Sequence, residues 1–453
     1  MKRTTSAAGT RVRRLLLRLR PAPKARLSRA GIALALVAAL VQPVFAQPML
    51  VQPEQAGLAQ ALAQAATWEV EAHLEDMAHA GAGLWTRTTF GTSAALTDRW
   101  RMEFGGYAVF EHPDSGRYGG LAAPTSAAIH ARPVELTRLN LLRSEPGYSV
   151  LLGKAELALG VAEIHAPTDR FDARDHSHFL HARRLGRWQL RLDLPRGDYT
   201  LSLIVLPFEE SDRHRRVTAS DPATAALLAT PWDTRSGGVA DGGVLLRHAV
   251  VRPGHDFFVG LHWGPGAYPT LRQSGVLARP SVLRRPEAVS AFGGAVATLE
   301  NWRLYAEALY QHTRHGADQS FLRYTVGTSA RLADLATRLG LQDLEWSAEY
   351  AGDRVLRQAG DARVLRASEI GRPYRDTLLF KLRLQPAEDW TLTLAATRPF
   401  DEAAPSRAAK LDYRWSDNVQ VSAQAGVRGE SVQGLFGAGA RERFVSLGLD
   451  IRF

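Results

Sequence analysis

Between residues 157 and 186 the chain gathers Asp169, Arg170, Asp172, Arg174, Asp175, His176, His178, His181, Arg183 and Arg184. Carboxylates three residues apart are oxygen donors of the kind calcium takes, and a His-x-His pair can ligate a transition metal. Neither set follows a defined metal-binding pattern, and the interleaved arginines oppose a cation. No metal and no cofactor is therefore expected. The arginines suit phosphate groups instead, through charge-assisted hydrogen bonds. Folded inward, the same segment would narrow an aqueous path, with Arg170, Asp172 and Arg174 as candidate constriction residues. His255, His262 and His312 lie near the ends of regular segments, but no serine motif accompanies them, so no enzymatic activity is expected.

The elements that would position these residues alternate with period two. Arg187–Leu194 sets Trp188, Leu190, Leu192 and Leu194 against Arg187, Gln189, Arg191 and Asp193, because a strand turns successive side chains to opposite faces. The pattern recurs over 68–75, 199–206, 256–263, 302–310, 344–350, 377–384, 389–397, 409–415 and 419–427. Arg187, Arg191, Arg303, Arg383 and Arg414 fall on the polar faces, beside acids such as Glu307, Glu345, Glu349 and Asp412. Polar faces turned to a wet interior and apolar faces turned to lipid make a transmembrane barrel. A charge facing mid-bilayer lipid would cost about 2–4 kcal/mol. The near balance of signs on the polar faces gives no ion preference.

Tryptophans 68, 188, 302, 390 and 415 lie at the ends of apolar faces, where an interfacial girdle belongs. The last segment, Arg443–Phe453, carries Val445, Leu447, Leu449, Ile451 and Phe453 on one side. An apolar strand closing on an aromatic residue is the kind of signal read by barrel-assembly machinery, here through Leu449, Ile451 and Phe453. Counted back from that strand, the connections alternate between long outer loops (428–442, 398–407, 352–374, 312–319, 265–286, 207–242, 157–186, 111–133) and short inner turns (416–418, 385–388, 299–300, 252–255, 195–197, 145–147). Only 331–342 is long for an inner turn. The expectation is an all-β fold: an up-and-down antiparallel barrel of about 16–18 strands over 67–453.

The other end of the sequence fits export. Residues 1–29 hold ten basic side chains and no acid, and an apolar core over 31–41 precedes Val44-Phe45-Ala46. That is the order of a cleaved signal peptide, assigned to 1–46. Residues 47–66, rich in alanine and glutamine, read as a periplasmic tail or short helix. The whole chain has 56 basic and 46 acidic residues. Without the ten basic residues of the leader the two signs are equal, and overall charge gives no support for a nucleic-acid partner. The chain has no cysteine, which removes disulfides, thiolate metal sites and a cysteine nucleophile.

Leu151-Leu-Gly-Lys-Ala-Glu-Leu-Ala-Leu-Gly-Val-Ala-Glu-Ile-His-Ala-Pro-Thr-Asp169 resembles the strand and loop of proteobacterial outer-membrane porin-like proteins. In those, a glycine-lysine strand leads through a glycine to a proline-threonine-aspartate turn. Leu206-Pro207 and Asp256–Gly264 resemble the same group, and the alginate-export and capsule-binding barrels share its general plan. The resemblance implies an outer-membrane barrel of a Gram-negative bacterium that either conducts solutes or binds at the cell surface. The expected function is passive diffusion of small polar solutes, with polysaccharide binding or export as the alternative. The expected partners are outer-membrane lipid and lipopolysaccharide, the barrel-assembly machinery and a small polar solute.

Overall fold

The computed structural model describes residues 66–77, 81–111, 134–176, 181–207, 213–214, 242–266, 270–272, 282–316, 318–358, 364–366, 374–400, 404–429 and 442–453. The leader, all but the last residue of the 47–66 tail, and most of the outer loops 111–133, 207–242 and 428–442 lie outside the described residues.

Eighteen strands form one sheet. The first six are β1 (Thr67–Met77), β2 (Gly81–Ala95), β3 (Trp100–Glu111), β4 (Val134–Glu145), β5 (Tyr148–Ala155) and β6 (Arg187–Arg196). The middle six are β7 (Tyr199–Leu206), β8 (Gly243–Arg252), β9 (His255–Pro265), β10 (Glu287–Leu299), β11 (Trp302–Thr313) and β12 (Ser320–Arg331). The last six are β13 (Asp343–Arg357), β14 (Asp376–Ala387), β15 (Trp390–Pro399), β16 (Arg407–Ser416), β17 (Val419–Arg428) and β18 (Glu442–Arg452). Each pairs antiparallel with its sequence neighbours, and β1 pairs with both β2 and β18, so the sheet closes. Trp68 and Phe453 exchange backbone hydrogen bonds at the foot of that seam. Closure leaves no free edge, the only way a sheet satisfies every backbone donor in hydrocarbon.

The period-two faces sort as alternation requires. Val259, Leu261, Trp263, Val326, Val445 and Leu447 are exposed on the outside, while their neighbours Phe258, His262, Thr325, Phe444 and Ser446 are buried. Trp302, Trp390 and Trp415 stand exposed near the short-turn ends of their strands. Among the described residues no helix is long and apolar enough to cross a membrane.

The connection 332–342 is long because it contains a helix, α1 (Ala333–Leu339). Gly340, at φ 71°, ends it in the left-handed conformation that glycine adopts without strain, and its N–H reaches Ala336 O and Thr337 O. Two small sheets are built from the longer connections, one of Arg174–His176, Arg183–Arg184 and Arg213–His214, the other of Thr270–Arg272, Val282–Arg284 and Val364–Arg366.

Candidate functional site

Residues 156–186 connect β5 to β6, yet the partners of 161–168 lie on β11–β13, five or more places away around the ring. Glu307 on β11 accepts the N–H groups of Val161 (2.8 Å), Ala162 (3.3 Å) and Thr168 (2.8 Å), and the Thr168 hydroxyl at 2.7 Å. Glu349 on β13 accepts those of Glu163 (2.7 Å), Ile164 (2.7 Å) and His165 (2.8 Å), together with the Tyr305 hydroxyl at 2.8 Å. Thr325 on β12 donates to the His165 carbonyl at 2.8 Å. The segment therefore lies inside the barrel against β11–β13. A non-repetitive backbone placed there has donors that no sheet ladder satisfies, and unpaired buried donors are costly. Two carboxylates meet six of them.

Apolar packing holds the same stretch. Leu157, Leu159 and Phe171 cluster with Ile204, Leu206, Leu245, Ala249, Phe258, Phe292, Leu309 and Phe321, all from β7–β12. These wall residues share the inward parity that carries charge elsewhere. Pro167–Phe171 forms a 3-10 turn with Pro167, Thr168 and Phe171 buried. The segment then returns to β1–β3. There Tyr107 donates to Asp175, Arg183 pairs with Glu71 and with Glu69 (3.3 Å), and Arg87 donates to the His181 carbonyl at 3.2 Å. A second cluster, Tyr107, Ala173 and Leu185, packs beside it.

Arg170, Asp172 and Arg174 all lie on this inserted stretch. Arg170 stacks on Phe171 (4.2 Å) and donates toward His262 Nδ1 at 3.0 Å, while Arg174 pairs with Asp169 at 2.5 Å. Asp172 is only 5% exposed. It accepts the Leu157 N–H at 3.1 Å and faces Arg184 Nε at 3.4 Å. Burial pushes its carboxyl up to about 6, partly offset by Arg184. His165 is pulled down to about 3 by burial, with Arg323 and Arg174 adding positive charge. Asp172 thus braces the segment rather than facing open water.

The five candidate lining arginines part company. Arg187 is buried at 2% exposure, and Arg191 pairs with Asp193 at 2.9 Å. Arg303 reaches Glu163 of the inserted segment at 2.8 Å, and Ser329 and Ser347 donate to the same carboxylate at 2.7 and 2.6 Å. Arg383 pairs with Glu345 at 3.1 Å. Arg303 and Arg383 line one cavity of about 260 Å3 with Arg331, Lys381, Glu163 and Glu345. Arg414 instead clasps Glu388 (3.0 Å) and Asp389 (3.1 Å) in the β14–β15 turn, at the mouth. Leu449 and Ile451 sit outward in β18 opposite Ala72 and Val70, and Phe453 is half exposed beside the seam.

His312 and Ser320 approach to 3.4 Å across the outer end of the β11–β12 hairpin, where Ser320 also accepts the Thr313 N–H. That arrangement ties a hairpin, as a buried hydroxyl between two strands ordinarily does.

The roles of Glu307 and Glu349 escaped the sequence reading, which placed both only as inward acids. A signal was present. In register Glu307 faces Gly294 and Thr325, and Glu349 faces Gly327 and Leu379, so neither has a cationic cross-strand neighbour. An inward carboxylate without such a neighbour needs donors from elsewhere.

The sequence matches no family model and no curated protein. Solved structures do match. Pseudomonas aeruginosa OccK3 (OpdO) superposes with a TM-score of 0.50 at 12% identity, over 88% of this chain and 99% of that one. In fold the two are similar. Acinetobacter baumannii OccAB1 gives 0.49 at 9% identity, covering 86% of this chain and 95% of its own. A mutant of the Rhodopseudomonas blastica porin gives 0.42 at 9% identity, over 86% and 99%. The overlap with OccK3 carries the fold comparison, and the lower two add nothing to it. The alginate-export type of barrel, one of the two plans named from sequence, finds no support among these neighbours.

Proposed function

We propose that this chain is an outer-membrane channel of Gram-negative bacteria through which small polar solutes diffuse passively. The observation that carries the reading is a closed eighteen-stranded barrel, apolar outside and charged inside, with residues 156–176 and 181–186 laid across its interior. Barrels of this size ordinarily enclose water. Arg170 and Arg174 of the inserted segment, braced by Asp172, border the narrowest part of the path. Arg303 and Arg383 meet the solute in the cavity below it, and Arg191 lines the wall. Arg187 and Arg414 support the segment and the mouth. Leu449, Ile451 and Phe453 form the assembly signal, read together with lipid and lipopolysaccharide during insertion.

Planar-bilayer recording of the purified full chain tests this. Stepwise conductance in salt, reduced by polar solutes small enough to enter, is expected. A sealed barrel that conducts nothing yet retains polysaccharide would overturn the reading in favour of surface binding.

A further inference from the structure

The seam between β1 and β18 holds side chains that solute passage does not use. Glu71, His73 and Asp450 project inward from these neighbouring strands, and Glu71 stands opposite Asp450 in register. One ligand atom from each lies within 4.8 Å of the others. His73 Nε2 is 3.8 Å from Glu71 Oε2 and 3.9 Å from Asp450 Oδ1, too far for hydrogen bonds. The His73 side chain is only 2% exposed, and neither ring nitrogen has a hydrogen-bond partner.

A buried imidazole with both nitrogens unmet is costly unless something else meets them. The ring is also firmly placed. Trp85 stacks on it at 4.4 Å, His181 lies against it at 3.9 Å, and Gly448 leaves the gap that its Nδ1 edge fills. A Cβ at residue 448 would come within 2.7 Å of that nitrogen.

We propose that this seam binds one divalent transition-metal ion of the zinc class, through His73 Nε2, Asp450 Oδ1 and Glu71 Oε2. Two metal–ligand bonds of about 2.0–2.2 Å at a tetrahedral angle place their donors about 3.3–3.6 Å apart, so the 3.8 and 3.9 Å gaps need close by only a few tenths of an ångström around an ion. One imidazole and two carboxylates suit zinc better than calcium, which takes oxygen alone. The cation has a competitor, since Arg87 donates to Glu71 Oε2 twice, from Nε at 2.8 Å and from Nη2 at 2.6 Å. Arg87 keeps a second acceptor, the His181 carbonyl at 3.2 Å, and Arg183 holds the other Glu71 oxygen. An arriving ion has to displace both Arg87–Glu71 hydrogen bonds, after which Arg87 keeps its bond to the His181 carbonyl and its place over the Trp85 ring at 5.2 Å. His181 adds a buried Nε2 without a hydrogen-bond partner beside the site. Bound metal would then join the closing strands to the end of the inserted segment.

The test uses the full chain assembled in detergent, stripped with chelator and dialysed, and titrated with zinc chloride by calorimetry. One equivalent per chain is expected, with binding weakened at least about tenfold by Asp450→Asn and by His73→Gln. Cobalt(II) should give visible bands that both variants lose, while a His176→Ala/His178→Ala double variant keeps them. Absence of saturable wild-type binding at about 100 µM free zinc overturns the site, as does full binding in both seam variants or loss in the double variant. Should His73→Gln fail to assemble, Asp450→Asn and zinc protection of wild-type His73 from diethyl pyrocarbonate decide. An unprotected His73 rejects the proposal. Solute conductance is a separate readout, so either reading can fail alone.

Discussion

Glu349→Gln tests whether the inserted segment is latched by carboxylates. The native group takes three N–H groups and one phenolic hydroxyl at 2.7–2.8 Å. Hydrogen bonds to a charged acceptor are worth about 1.5–3 kcal/mol, against about 0.5–1.5 for a neutral one, so four lose roughly 4 kcal/mol together. An amide also offers one oxygen where the carboxylate offered two. If its oxygen keeps the Oε1 position, its NH2 confronts the His165 N–H and that bond is lost outright. At about 1.4 kcal/mol per factor of ten, release of the 161–168 stretch becomes up to a thousandfold more frequent. The barrel itself keeps its strand ladder, because Glu349 bonds inward and not along the wall. Single-channel recording should show larger or noisier conductance with normal heat-modifiable migration, and more so when Glu307→Gln is added. Unchanged conductance and open-state noise in the double variant would refute the latch, since both carboxylate anchors of 161–168 would then be gone without effect.

Phe453→Ser should lower the assembled fraction in outer membranes, seen as loss of heat-modifiable migration; normal levels count against the assembly signal. Gly448→Val should destabilise the seam by about 1–3 kcal/mol, because a Cβ would come within 2.5 Å of Ser422 Oγ. Denaturant midpoints measure that shift, and an unchanged midpoint would mean the strands separate there without cost. The pH response follows from two groups in the inserted segment. His165, held neutral at a value near 3, supports docking above its ordinary 6.5, and that support fades as pH falls toward 3. Asp172, raised from 3.8 to about 6, has the opposite slope between those values and favours docking as it takes up its proton. Conductance noise should therefore vary little from pH 6 to 4 and rise below 4, where His165 acts alone. His165→Gln should abolish that acid rise, and its persistence would assign the effect elsewhere.

The barrel was legible because two solvents impose one simple rule on it. Val419–Val427 and Arg443–Phe453 alternate in sequence because one face meets an apolar medium and the other a polar interior, and β17 and β18 follow that alternation residue by residue. The long connection at 331–342 stood out as an exception to the loop rhythm, and α1 occupies it. The inward polarity rule failed where the interior is not water. Phe258, Phe292, Leu309 and Phe321 point inward because Leu157, Leu159 and Phe171 cover them.

Nothing local in β10 or β11 announces that cover, which arrives from more than a hundred residues earlier in the chain. The same distance hides the latch. Glu307 and Glu349 are bound by N–H groups 139–186 residues away, and a backbone donor carries no residue-type signature. His73 and Asp450 become neighbours only through closure of the ring, the last contact that a strand-by-strand reading can infer. Periodicity therefore reports which medium each face meets. It is silent about groups that meet only because the sheet closes and a loop turns inward. In this protein those meetings place the latch, the cavity arginines and the seam cluster, so the Glu307, Glu349, His73 and Asp450 variants above probe contacts between residues far apart in sequence.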